Sequence, residues 1–378
     1  MSYDIPFNRP AIVGEEMRYV ADAVRRGRIS GDGEYTRRCH RLLEQELGAP
    51  KVLLTASCTH ALEMTALLLD VGPGDEVIMP SFTFVSTANA FALRGARPVF
   101  ADIRPDTLNL DEAALEPLVT ARTRAIVPVH YAGVGCAMDV ILDVAARHRL
   151  AVVEDNAHGL FGTCEGRLLG SFGALSTLSF HETKNFTCGE GGGLVVNDPA
   201  LVERAEIVRE KGTNRSQFFR GEIDKYTWVD LGSSYLPSDL LAAFLYAQLE
   251  QRERVQAARQ AIWQRYAEEL AQWAAGYGVR LPVVPPGCEQ PAHLFYLLLP
   301  SLAVRQALIE HLKRQGILAV FHYVPLHLSP YGRRLGGERS CPVAEDVADR
   351  LLRLPLFYDL AAADQGRVID AVRSFDAF

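Results

Sequence analysis

Between residues 50 and 200, short apolar runs that lack polar alternation recur at intervals filled by amphipathic stretches, and few architectures satisfy that pattern. The runs are 51–55 (KVLLT), 76–80 (EVIMP), 97–103 (RPVFADI), 124–130 (RAIVPVH), 150–156 (LAVVEDN), 175–180 (LSTLSF) and 192–198 (GGLVVND). Helical spacing occupies 60–70, 85–94, 111–120 and 138–148 between them. Non-alternating runs separated by helices predict an α/β layer structure, with a largely parallel sheet buried on both faces. Ligands of such sheets gather at the C-terminal strand ends, so chemistry is sought there.

The flanks are more helical. Residues 11–47 read as helix, with Met17, Val20 and Val24 at helical spacing and a break at Gly31-Asp32-Gly33. Residues 236–275 read as one long helix or a pair. The Pro-rich stretch 282–291 looks like a connector, and the residues after it read as a smaller α/β unit. A chain of 378 residues suits two unequal domains. The expected division is a large domain over 1–250, including the N-terminal helical segment, and a small C-terminal domain over 251–378.

Composition removes several classes of function. A net charge of −7 without a basic block argues against nucleic acid. The apolar stretch 61–71 is interrupted by Glu63 and Asp70 and is too short for a bilayer. The N-terminus lacks a charged segment followed by an apolar one, so a cytoplasmic protein without a membrane anchor is expected. Seven scattered cysteines with no CxxC argue against a disulfide framework or a zinc site; no metal is expected and a reducing compartment fits.

Three strand ends carry the chemistry. Asp155 closes LAVVED, where a carboxylate serves either as a cap or ion pair, or as the partner of a protonated ring nitrogen. Lys184 follows LSTLSF and precedes a glycine-rich turn at Gly189, Gly191, Gly192 and Gly193. It reads either as a solvated loop lysine or as a partly buried amine that loses its proton near neutrality and forms a Schiff base. Ser57, Cys58 and Thr59 open a helix after KVLLT, either as an ordinary cap or as an anion site made of free N–H groups and the helix dipole. Taken in order, anion site, carboxylate and lysine match the phosphate, ring nitrogen and aldehyde of pyridoxal 5'-phosphate (PLP).

Beyond these positions the chain resembles the sugar aminotransferases of the DegT/StrS group. The strings RPDT, VPVHYAG, VVED-x-A-H-G, SFHETKN, GEGG, REKGTNRSQFFRG and DKYTW-x-D-x-GSSYL-x-SD carry the likeness, above all to the TDP-4-amino-4,6-dideoxygalactose transaminase branch. The resemblance implies a fold type I, aspartate-aminotransferase-like PLP transferase and a homodimer with active sites shared across the interface. By position it implies Lys184 as the Schiff-base lysine, with a pyridoxamine phosphate (PMP) form during turnover, and Asp155 as partner of the ring nitrogen. His158 would lie near the ring hydroxyl, Phe84 would stack on the ring, and Ser57, Cys58, Thr59 and Ser179 would hold the phosphate. Many members place an Asn-x-Arg where this chain has Ser234 and Leu236, so Ser234 would replace the Asn that reaches the partner's phosphate. Arg215 and Lys225 suit a nucleotide diphosphate, though a solvated loop is the preferred reading of most of 211–228; His322, Tyr323 and His327 resemble a contribution to the sugar pocket, with a structural role an equal reading of each histidine.

The implied reaction moves an amino group from L-glutamate to C4 of TDP-4-keto-6-deoxy-D-glucose. Its products are a TDP-4-amino-4,6-dideoxyhexose, galacto or gluco, and 2-oxoglutarate. The alternatives are amination at C3 or of another nucleotide-linked keto sugar, and a non-catalytic PLP-binding regulatory protein.

Overall fold

The computed structural model describes residues 3–336 and 339–376. Two helices, α1 (Glu16–Arg25) and α2 (Glu34–Leu47), precede the first strand. The break between them is fixed by Asp239, whose carboxylate accepts from the backbone N–H groups of Tyr35 (3.3 Å) and Thr36 (2.8 Å) and so caps α2. A Cβ on Gly33 would meet that carboxylate at 2.2 Å, which is why glycine stands there. Contrary to the simple helical pattern, Met17 and Val24 of α1 are 71% and 54% exposed.

The central layer is built from β1 (Lys51–Thr55), α3 (Cys58–Leu68), β2 (Glu76–Pro80), α4 (Val85–Ala92), β3 (Arg97–Ala101), β4 (Thr123–Ile126), α5 (Met138–His148) and β5 (Ala151–Asp155). A small hairpin, β6 (Thr163–Cys164) and β7 (Arg167–Leu168), then leads to β8 (Leu175–Ser179) and β9 (Gly192–Val196). Seven strands form one sheet in the order β1-β9-β8-β5-β4-β2-β3. Only β9 runs against its neighbours. Strands β2 and β9 are buried along their full length, as an unalternating apolar run requires. The stretch 111–120 departs from expectation: it forms two 3₁₀ turns, Glu112–Ala114 and Glu116–Leu118. Pro117 explains this, since it lacks a donor and disfavours helix at the residue before it.

After β9 come α6 (Val202–Arg209), α7 (Arg215–Phe219), α8 (Asp239–Glu250) and α9 (Arg252–Gly276). The C-terminal part adds β10 (Cys288–Glu289), β11 (Phe295–Leu298), α10 (Leu302–Arg314), α11 (Pro330–Arg334), α12 (Pro342–Arg350), β12 (Leu351–Leu354) and α13 (Ala362–Arg373). Here Ile262, Tyr266, Leu270 and Trp273, one face of α9, pack with Phe295, Leu308, Leu352 and Val368 into a separate apolar cluster. Ile5 joins it by bridging to Ile317, so the N-terminal segment straps the two parts together.

The cysteine reading needs one correction. Cys164 and Cys288 lie opposite each other on β6 and β10 and are joined as a disulfide. Their 124-residue separation hides the pair, because only the fold sets β10 beside β6. Cysteines 39, 58, 136, 188 and 341 are free thiols. No helix among the described residues is long and apolar enough to cross a membrane.

Candidate active site

A cavity of about 810 Å³ opens where β1, β2, β5 and β8 end and β9 begins. Its far wall is made by 320–323, β12 and the N-terminal strap at Phe7 and Asn8. This is the edge to which the parallel strands deliver their C-termini, and the connections leaving it need not continue the ladder.

At the end of β1 the chain turns into α3 with Ser57 as its cap, its Oγ accepting from the His60 N–H at 3.1 Å. Such a cap contributes about 1 kcal/mol to the helix. It leaves the first N–H groups of α3, including those of Cys58 and Thr59, without intrahelical partners and aimed outward. Thr59 Oγ1 is held by Ser86 Oγ at 2.7 Å. Strand β9 passes so close that a Cβ on Gly192 would meet the Ser57 and Cys58 backbone at 2.3 Å. Only a glycine at the start of β9 lets this strand pack directly against the start of α3.

Asp155, at the tip of β5, is 4% exposed. Its Oδ2 accepts from Thr87 Oγ1 at 2.7 Å and its Oδ1 from the Ala157 N–H at 3.3 Å. Burial pushes its pKa up, opposed by those hydrogen bonds and by the charge of Lys184. Its neighbour Glu154 points to the opposite side. There it accepts from the N–H groups of Gly170, Phe172 and Gly173 and from His130 Nε2 at 2.8 Å, with both side chains fully buried. His130 Nδ1 accepts the Cys136 N–H at 3.2 Å, so the proton shared with Glu154 lies on Nε2. That buried pair locks the strand whose last residue is Asp155.

Lys184 follows β8 in a tight turn, its N–H bonded to the His181 carbonyl. Desolvation pulls its ammonium down to about 8, against the pull of Cys58 and Asp155. The next residue fixes the turn: Asn185 Nδ2 donates to the Pro291 carbonyl at 2.6 Å, and its Oδ1 accepts from His293 Nδ1 at 3.0 Å.

His158 stacks on His293 with centroids 4.3 Å apart, and lies 6.1 Å from His322. Burial holds all three well below the usual histidine range, so they are neutral near pH 7. The Nδ1 of His158 is buried and has no hydrogen-bond partner. A buried donor or acceptor left over in a cavity wall is open to a water or a ligand atom.

Of the residues singled out from sequence, Ser57, Cys58, Thr59, Phe84, Asp155, His158, Ser179, Lys184, His322 and Tyr323 all line this cavity. Others do not. His327 is buried elsewhere, its ring between Ser81 Oγ (2.6 Å) and Glu345 (3.0 Å), and is explained by packing. Arg215 bonds Glu210 and covers Phe219, outside the cavity. Lys225 and Ser234 are exposed and also lie outside it. Sequence reading missed Thr87, His293, Arg353 and Phe7. Thr87 was a legible candidate, one helical turn beyond Thr83 and the PSFTF turn, but the other three reach the cavity only through tertiary packing.

The residues present fit PLP. The free N–H groups at the start of α3 suit a phosphate, and the buried Asp155 carboxylate suits a protonated ring nitrogen. The unpaired His158 Nδ1 suits a ring substituent, and a lysine of depressed pKa suits an aldehyde.

Comparison with known proteins gives the same picture. The profile of the DegT/DnrJ/EryC1/StrS aminotransferase family matches residues 10–373. The spore coat polysaccharide biosynthesis protein SpsC of Bacillus subtilis is 34% identical, over 98% of this chain and 96% of that protein. Among solved structures, the aminotransferase TlmJ from Streptoalloteichus hindustanus superposes with a TM-score of 0.90 at 31% identity, covering 98% of both chains. The PLP form of Spr1654 from Streptococcus pneumoniae gives a TM-score of 0.90 at 28% identity, again over 98% of both chains.

Proposed function

Because the chain belongs to the DegT/DnrJ/EryC1/StrS aminotransferase family and is a PLP-dependent sugar aminotransferase, we propose a specific reaction for it. It transfers the amino group of L-glutamate to C4 of TDP-4-keto-6-deoxy-D-glucose. The observation that carries this reading is the meeting of Lys184, Asp155 and the α3 N-terminus in one cavity.

When bound, PLP supplies the electron sink that makes an amino acid's α-proton removable. The first N–H groups of α3, with Thr59 and Ser179, would hold its phosphate. Asp155 would face the ring nitrogen and keep it protonated, a role that its buried, hydrogen-bonded carboxylate supports. His158 would meet the ring hydroxyl, and Phe84 would cover one face of the ring. The Lys184 amine would take the donor's α-proton and return a proton at C4 of the sugar. A pKa of about 8 supports that double duty, since the group exchanges protons readily near neutral pH. The neutral imidazoles of His158, His293 and His322, with the buried Tyr131 hydroxyl 2.7 Å from His322 Nδ1, would line the sugar's side of the cavity with uncharged polar groups.

The same reading includes a homodimer. Met17, Val24, Leu93, Trp228 and Leu231 are each more than half exposed, and Phe84 at the cavity mouth is 56% exposed. Partner contact would cover them. Ser234, Arg215 at the start of α7 and Lys225 after it lie outside their own cavity, a placement that supports a contribution to the partner's site. The division into domains 1–250 and 251–378 is supported by the break between α8 and α9 at Gln251.

Product analysis tests the proposal. The enzyme is incubated with PLP, L-glutamate and TDP-4-keto-6-deoxyglucose, and the sugar product is examined by NMR. A C4 amine, axial or equatorial, is expected; an amine at C3 or unreacted sugar would refute the assignment.

A further inference from the structure

Two stretches of chain leave the cavity wall and meet again away from it. On the wall, His158 and His293 stack with ring centroids 4.3 Å apart. Residues 158–164 lead from the first imidazole to β6, and residues 288–293 lead from β10 to the second. At the far end Cys164 and Cys288 face each other across the antiparallel β6–β10 pair and are joined as a disulfide. The two stretches thus close into a ring, covalently at the β6–β10 end and by stacked imidazoles at the cavity end. Noncovalently, the β6–β10 end rests on a ladder of two residues per strand, with the Glu165 N–H donating to the Gly287 carbonyl at 2.8 Å. Strands that short are marginal by themselves.

The stretch that the disulfide anchors reaches the turn of Lys184. Asn185, the next residue, donates to the Pro291 carbonyl at 2.6 Å and accepts from His293 Nδ1 at 3.0 Å. Between Pro291 and His293, Ala292 has a φ of +50°, a left-handed conformation that alanine does not favour by itself. Buried Arg259 braces it by donating to the carbonyls of Ala292 (3.0 Å) and His293 (2.7 Å). His293 is therefore placed by two anchors, Arg259 at its own backbone and Cys288 earlier in the chain. The sulfurs of the second anchor are reachable. Both cysteines are partly exposed, and Glu165, Gly166, Gly287 and Glu289 beside them are exposed. Cys39, Cys136, Cys188 and Cys341 are buried. Cys58 faces the cavity, where desolvation pushes its thiol up to about 12, so it yields little of the thiolate that exchange needs.

We propose that Cys164 and Cys288 form a reversible thiol–disulfide site that fixes His293, and through Asn185 the turn of Lys184, in the working position. The inference rests on the reading of Lys184 as the reacting amine. The reactant is a low-molecular-weight thiol such as glutathione. Its thiolate attacks one sulfur of the pair, and the S–S bond breaks to leave a mixed disulfide and one cysteine thiolate. A second glutathione thiolate attacks the glutathione sulfur of the mixed disulfide and releases the other cysteine as thiolate. The two cysteine thiolates take up the protons that the two glutathiones gave up. The protein gains two electrons, and glutathione disulfide is the oxidised product; the same steps run backward re-form the link. In the dithiol state residues 288–291 gain freedom, and His293 keeps its place through Arg259 without its second anchor.

The test compares holoenzyme equilibrated in reduced and in oxidised glutathione and then desalted without air, as wild type and as the double variant Cys164→Ser, Cys288→Ser. Peptide mass spectrometry after alkylation reads the Cys164–Cys288 link. Backbone hydrogen exchange over 288–293 reads the anchor, and visible circular dichroism of bound PLP reads the setting of the cofactor. Conversion of the PLP form by L-glutamate, followed by absorbance, reads the rate. The linked form should convert about 3- to 30-fold faster than the dithiol, less than the roughly 100-fold that a misplacement of about 1 Å costs. Exchange over 288–293 should quicken on reduction and the dichroism should change. The double variant should match the dithiol in both buffers; C164S or C288S serves if it does not fold. Absence of the linked peptide in oxidised glutathione would overturn the proposal. So would equal rates or equal exchange in the two states, or a serine variant that responds to glutathione as wild type does. If L-glutamate reacts in neither state, the donor assignment fails, and the dichroism decides this proposal in place of the rate.

Discussion

Thr87 Oγ1 donates to Asp155 Oδ2 at 2.7 Å, and Thr83 Oγ1 lies 3.0 Å behind it. Because the Thr87 proton goes to the carboxylate, Thr83 must be the donor to Thr87. The result is a directed chain from the start of α4 into the tip of β5. Burial alone would favour a neutral Asp155, and this chain is the strongest influence keeping it ionised.

Thr87→Val should therefore raise the pKa of Asp155 further and lower kcat on the order of tenfold, the size of one lost hydrogen bond to a charged group. The acid limb of the kcat–pH profile should move to higher pH, because the ionised carboxylate is the working form. Thr87→Ser should restore both. A T87V enzyme with an unshifted acid limb would show that Thr87 serves packing only.

Gly192→Ala drives a methyl group into the Ser57 and Cys58 backbone, with contact at 2.3 Å. The start of α3 must then move, at a cost of about 1–3 kcal/mol. PLP and inorganic phosphate should both bind more weakly, as read by equilibrium titration of the apoprotein. Gly193→Ala, whose new methyl meets nothing closer than 3.6 Å, should leave both affinities within about threefold.

The Lys184 amine must be neutral to attack an aldehyde, and desolvation lowers its pKa to about 8. The rate of PLP capture by the apoprotein should rise with pH through an apparent pKa near 8 and then level off. A lysine left at its ordinary value would give a rate still climbing at pH 9.5. Stopped-flow absorbance distinguishes the two curves.

The exposed apolar side chains of α1 bear on assembly. Met17→Glu combined with Val24→Glu should give a monomer in sedimentation or light scattering, since two charges would be buried at the contact. An assembly state unchanged from that of the wild type would contradict a homodimer contact through α1.

Much of this was legible in the sequence because the sheet delivers Ser57, Asp155 and Lys184 to one edge by connectivity alone. Each follows an apolar run, and parallel strands end on the same side. Arg353 was not legible: within LLRLP it reads as the outward residue of an edge strand, and only the packing of β12 against the strap turns it inward. His293 likewise depends on where Asn185 and the 282–291 connector meet. His327 misleads in the opposite direction, since it shares a short string with two cavity residues yet turns toward Ser81 and Glu345. Met17 and Val24 show the limit of periodicity, which marks an apolar face without saying whether the same chain or another covers it.

Central to the proposed chemistry is Lys184 as the residue that carries the cofactor. Holoenzyme reduced with borohydride, digested and analysed by mass spectrometry should yield a single pyridoxyl adduct on the peptide containing Lys184. Lys184→Ala, treated identically, should yield none and should not aminate the sugar. An adduct on any other of the lysines, or glutamate-dependent turnover by the Ala variant, would contradict the assignment.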